Sequence, residues 1–97
     1  MYGTVARIRV KHGMVDEFYA WNQQNPVEGT GRSAMLVFQM DANPDELYLV
    51  VAAESREDYR AVSNRPGMHA RFMDMMRFLE AEPEWHDGEI IASDFNV

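Results

Sequence analysis

Glu46-Leu-Tyr-Leu-Val-Val-Ala-Ala-Glu54 reads as a strand that is apolar on both of its faces. Side chains alternate along a strand, so Leu47, Leu49, Val51 and Ala53 share one side and Tyr48, Val50 and Ala52 the other. Ala34-Met-Leu-Val-Phe-Gln-Met40 has the same character, with Ala34, Leu36, Phe38 and Met40 opposite Met35 and Val37. A sheet built from such strands must be covered on both faces. The 97 residues hold enough helix for one covering layer. The second face calls for a partner, and a further copy of the same chain is the expected one.

Outward from these strands, the chain alternates between two periodicities. Tyr2 to Val10 places Thr4, Ala6, Ile8 and Val10 on one face and Val5, Arg7 and Arg9 on the other, a strand pattern. Lys11-His12-Gly13 is a turn. From Met14 to about Gln24, Met14, Phe18 and Trp21 fall at helical spacing, and Asp16 and Glu17 suit the positive end of the helix. Asn25-Pro26 ends that helix, and Val27 to Gly31 reads as a loop. Asp41-Ala-Asn-Pro-Asp45 joins the two central strands with turn-forming residues. Ser55 reads as the N-cap of a short helix that carries Tyr59 and Val62 inward. Asn64-Arg-Pro-Gly67 interrupts it. A longer helix from Met68 to about Glu80 is expected to bury Phe72, Met75, Met76 and Leu79, and Glu89-Ile-Ile-Ala-Ser93 is expected to form the last strand. The order β-α-β-β-α-β, with the second helix split, predicts one ferredoxin-like α+β domain over residues 1–97, with an antiparallel four-stranded sheet and both helices on one face.

Composition narrows the function classes. A net charge of −7 and a single lysine, Lys11, argue against nonspecific nucleic-acid binding, which depends on neutralising phosphates. No apolar run approaches the roughly 20 residues that span a bilayer, and no secretory signal opens the chain, so a cytoplasmic protein without membrane partners is expected. The absence of cysteine removes disulfides, thiolate nucleophiles and cysteine metal sites together. The three histidines are far apart and form no metal-ligand spacing, so no metal is expected. Gly29-Thr-Gly31 is too short for a phosphate-binding loop.

Several segments resemble the antibiotic biosynthesis monooxygenase (ABM) family: Gly3-Thr-Val-Ala-Arg-Ile-Arg-Val10 with His12-Gly13, Asp45-Glu-Leu-Tyr-Leu-Val-Val51, Glu54-Ser-Arg-Glu-Asp-Tyr59 and Pro83-Glu-Trp-His-Asp-Gly-Glu89. The resemblance covers essentially the whole chain. It implies a dimeric α+β barrel in which two sheets pack face to face. It also implies oxidation of electron-rich phenols, quinols or polyketide-like aromatics by molecular oxygen without cofactor. Relatives that degrade haem use an asparagine, a tryptophan and an iron-binding histidine. Those roles fall here at Ala6, Val62 and Phe72, and none of the three matches.

Oxygenation without a cofactor needs a dry pocket for a planar phenol, a group that takes the phenolic proton, and a donor that stabilises reduced oxygen. The expected pocket lies between sheet and helices, walled by Phe18, Trp21, Tyr59, Phe72, Met73 and Met76, with His69 as the proton-transfer residue. Each has a structural reading beside the chemical one. His69 also fits a hydrogen-bonded residue at a helix start, Trp21 a continuation of the Met14-Phe18 core stripe, and Tyr59 a strut between helix and sheet. His86 and Asp87 are neighbours on an extended chain and point in opposite directions, so they form no acid/base pair. Arg7 is expected to pair with a carboxylate if its face is covered by a second subunit, because an unpaired buried charge is costly. The alternative function is a non-catalytic homodimer that binds a small apolar ligand or assists another enzyme.

Overall fold

The computed structural model describes residues 1–27 and 33–94, so the Gly29-Thr-Gly31 loop lies outside the described residues. The elements run β1 (Tyr2–Arg9), α1 (Val15–Gln24), β2 (Ser33–Gln39), β3 (Glu46–Ala53), α2 (Arg56–Ser63), α3 (Met68–Met75), a single 3-10 turn (Met76–Phe78) and β4 (Glu84–Glu89). The strands form one sheet in the order β2-β3-β1-β4, with every neighbouring pair antiparallel. This is the ferredoxin-like arrangement expected from the sequence. Among the described residues no helix is long and apolar enough to cross a membrane.

The register arranges the two faces as rows of side chains running across the strands. On the helix side, Met35, Val51, Thr4 and Asp87 make one row and Val37, Leu49, Ala6 and Trp85 the next. On the open side the rows are Ala34, Ala52, Gly3 and Gly88, then Leu36, Val50, Val5 and His86, then Phe38, Tyr48, Arg7 and Glu84. Gly3 is required where it stands, because a Cβ there would lie 1.7 Å from the carbonyl oxygen of Val51.

The core sits at one end of the helix side. Ile8, Val10 and Leu47 of the sheet region pack with Phe18 and Trp21 of α1 and with Met75, Phe78 and Leu79. Phe18 and Trp21 are stacked with ring centroids 6.2 Å apart, and Phe78 lies 5.7 Å from each. Trp21 Nε1 donates to Asp74 Oδ2 at 2.7 Å, which ties α1 to α3 through a charge-assisted hydrogen bond. Arg71 covers the other side of the indole, 4.7 Å from its centroid, and donates to the carbonyl of Asn25.

Two boundaries differ from the sequence expectation. The long helix stops at Met75 and tightens into the 3-10 turn, because Leu79 is already extended and bridges to Val10. Lys11 N–H donates to Phe78 O and Glu80 N–H to Arg9 O, so the backbone has joined the sheet edge where a further helical turn was expected. The last strand is Glu84–Glu89, five residues earlier than the Glu89–Ser93 expectation. It pairs with β1, and the register Tyr2 to Glu89 uses up that strand. Beyond it only the Met1 carbonyl remains, and it accepts from Ile90 N–H. Apolar character at Ile90 and Ile91 suggested a strand that has no neighbour left to pair with.

Candidate functional site

The helix side of the sheet divides into a closed and an open half. The closed half is the core around Phe18 and Trp21. In the open half, Met35 and Val37 are well exposed although they face the helix layer, so the apolar floor continues beyond its cover. At the other margin, Trp85 is 44% exposed on the same side.

The residues expected to wall a pocket separate along this division. Phe18 and Trp21 are buried, and Phe72 and Met76 pack partly buried against them. These four do come together, as core. Met73 and His69 are exposed on α3, one residue out of step with the inward stripe of Phe72 and Met75. The i to i+4 relation of His69 to Met73 is therefore real, but it runs along the outer side of the helix. The imidazole of His69 has no hydrogen-bond partner among the described residues.

Tyr59 is positioned by α2. Ser55 caps that helix, its hydroxyl accepting from Asp58 N–H at 3.1 Å. One turn on, the Tyr59 ring meets Tyr2 edge to face at 5.4 Å, while Arg56 lies over the Tyr2 ring at 5.0 Å. The Tyr59 hydroxyl donates to Asp87 Oδ1 at 3.0 Å. Burial, and then the Asp87 carboxylate it bonds, push the phenol up to about 12, so it remains a protonated donor throughout the neutral range. Beneath this pair Thr4 Oγ1 is buried with no partner of good hydrogen-bond geometry among the described residues. The sequence brings up Asp87 only beside His86, as no acid/base pair, and Thr4 only as a strand position. The strand alternation that sends His86 to the open side does place Asp87 here, but only with β4 correctly bounded.

On the open side, Arg7 lies between two carboxylates. Its Nη2 donates to Glu46 Oε2 at 3.1 Å and its Nη1 to Glu84 Oε2 at 3.2 Å. The hydrogen bond from Arg7 holds the Glu46 carboxyl below its ordinary range. The ion pairs sit beside an uncovered apolar surface: Leu36 and Phe38 are 58% and 48% exposed, and Val5 is exposed across Val50 from Leu36.

Two further clefts open among the described residues, the first beside the Tyr2 and Arg56 contacts that hold Tyr59. One of about 390 Å³ is lined by Met1, Tyr2, Ser55, Arg56, Glu57 and Glu89, and one of about 300 Å³ by Pro26, Val27, Pro66, Gly67 and Met68 among others. Neither includes the expected pocket walls. Among the described residues no group of three or more His, Asp or Glu is placed to hold a metal ion.

Comparison with known proteins gives a fold. No family model matches the chain, and no curated protein matches its sequence. Solved structures do match. A protein named “putative Antibiotic biosynthesis monooxygenase” from Chloroflexus aurantiacus J-10-fl superposes with a TM-score of 0.77 at 19% identity, covering 97% of this chain and 96% of that one. One of the same name from Nitrosomonas europaea gives 0.71 at 18% identity over 95% and 100%. An uncharacterised NIPSNAP domain protein from Burkholderia xenovorans gives 0.64 at 19% identity over 97% and 100%. The chain therefore shares the ferredoxin-like fold of these structures over nearly its whole length.

Proposed function

We propose, from a fold shared with proteins named antibiotic biosynthesis monooxygenases, that this chain works as a homodimer that oxidises a hydroxylated aromatic compound on the helix side of its sheet. The observation that carries the reading is the two-sided sheet. Its open side is a broad apolar surface on which Arg7 is paired with Glu46 and Glu84, which suits burial against a second copy. On its helix side the β4 edge carries an exposed indole at Trp85 and a polar end at Tyr59 and Asp87, while Met35 and Val37 stand exposed on the opposite, β2 edge. In this reading no metal or flavin takes part. A phenol bound beside Trp85 gives up its proton and, as phenolate, becomes the better electron donor to oxygen. In this reading His69 carries the proton-transfer role, which requires its ring to turn inward from the outer side of α3. Phe72 and Met76 lie partly buried against the core on the same side of the sheet.

The exposure of His69 favours a second reading, in which the same dimer binds a small apolar ligand without turning it over. Oxygen uptake with a panel of metal-free hydroquinones and naphthols separates the two. Uptake that disappears in His69→Ala while the dimer persists supports oxygenation through that residue. Absence of uptake with every compound leaves the binding reading. For the assembly, sedimentation at micromolar concentration should give twice the 11.2 kDa chain mass. Leu36→Glu should return it to monomer, and a wild-type monomer would remove the dimer.

A further inference from the structure

Trp85 and Asp87 stand two residues apart on β4, on the helix side, opposite Ala6 and Thr4 respectively. That spacing puts their Cβ atoms about 7 Å apart along the strand. Trp85 presents nearly half its surface to solvent, although its side of the sheet is the one that carries the core. Asp87 is fixed by Tyr59, which occupies Oδ1, and no described residue donates to Oδ2. Tyr59 is itself held by the Tyr2 ring, and α2 is anchored by its Ser55 cap. An exposed ring thus lies one residue-pair from an oriented carboxylate that has a free oxygen.

We propose that Trp85 and Asp87 form the recognition end of the ligand site, with Trp85 stacking on a planar ring and Asp87 Oδ2 accepting the hydrogen of a ring hydroxyl. This rests on the aromatic-ligand reading above and deepens it. Stacking on Trp85 tolerates many rings, because every aromatic has a π-face. Asp87 supplies the selection. A carboxylate accepts from a neutral phenol, has nothing to offer an ether, and repels an anion. The site therefore takes neutral, planar, hydroxylated aromatics and excludes sulfonated or carboxylated ones. Tyr59 is a positioning residue here: as a permanent donor it holds Oδ1 and leaves Oδ2 to the ligand.

The test is calorimetric titration of the full chain with naphthol and with its methyl ether, on wild type, Asp87→Ala and Trp85→Ala. Wild type should bind naphthol about tenfold more tightly than the ether, the ratio expected for one hydrogen bond to a charged acceptor. Asp87→Ala should bring the two compounds to within about twofold, and Trp85→Ala should weaken both in parallel by about fivefold or more. If Asp87→Ala fails to fold by circular dichroism, Asp87→Asn is read for the same loss of preference, because its amide oxygen still accepts from Tyr59. Equal binding of naphthol and ether by wild type, or an unchanged preference in the Asp87 variants, overturns the assignment and leaves the aromatic site standing. Wild type that binds neither compound overturns the assignment together with the ligand reading beneath it.

Discussion

His12 Nδ1 lies 2.9 Å from Asp45 Oδ2, joining the turn after β1 to the residue before β3. The hydrogen bond with Asp45, reinforced by its charge, holds the imidazole above its ordinary value. A histidine raised in the folded state contributes stability in full below its unfolded value of about 6.5, and loses it as pH rises through the folded value. Stability measured by urea should therefore fall from pH 6 towards pH 8 by a component that is absent in His12→Ala. The ring is exposed, so this component is small and shrinks with added salt. Gly3 makes the opposite case of a single residue with a large effect. Gly3→Ala drives a Cβ into the Val51 carbonyl and should lower stability by roughly 2–4 kcal/mol, read as a shifted urea midpoint.

The helices owe their placement to caps and to a few large side chains. Ser55→Ala removes the acceptor for Asp58 N–H and should cost about 1 kcal/mol. Loss of that cap also loosens Tyr59, so the same variant should lower affinity for any ligand held at Asp87. At this scale much was legible in the sequence. The Met14-Phe18-Trp21 spacing gave α1, Ser55 gave the start of α2, and Pro66-Gly67 its separation from α3, since Gly67 adopts a left-handed φ of 89°. What escaped was decided by pairing between distant segments. The 3-10 turn at Met76 forms because Leu79 and Glu80 bond to the end of β1, and β4 sits early because β1 begins at Tyr2. Neither event leaves a local signature. The candidate site suffered from the same blindness. His69 drew attention through its Met73 neighbour, but one residue of helical phase, about 100°, separates an inward position from an outward one. Phe18 and Trp21 are large enough to wall a pocket or to fill a core, and Phe78 settles them in the core.

The described residues keep one sheet face under the helices and leave the other uncovered. That division followed directly from strands apolar on both sides, and Arg7 paired with a carboxylate as expected, in fact with two. Arg7→Ala leaves Glu46 and Glu84 uncompensated on the surface that the proposed dimer covers. It should weaken association by about tenfold or more in sedimentation equilibrium, with the monomer still folded. The acidic surface elsewhere, at a net charge of −7, opposes nonspecific aggregation through the same face.

The open face is also a wedge. Its rows grow from Ala34, Ala52, Gly3 and Gly88 at the thin edge, through Leu36, Val50, Val5 and His86, to Phe38, Tyr48, Arg7 and Glu84 at the thick edge. Two identical wedges close without a gap only when thick meets thin. In the proposed dimer that calls for a two-fold axis running across the strands along the middle row and not one parallel to them, which would set thick on thick. Residues on such an axis face their own counterparts. In a chain with no cysteine of its own, Val50→Cys should then be joined to its own counterpart by a short bifunctional thiol reagent that spans the roughly 10 Å between packed sheets, while cysteine at Ala34 or Phe38 should not.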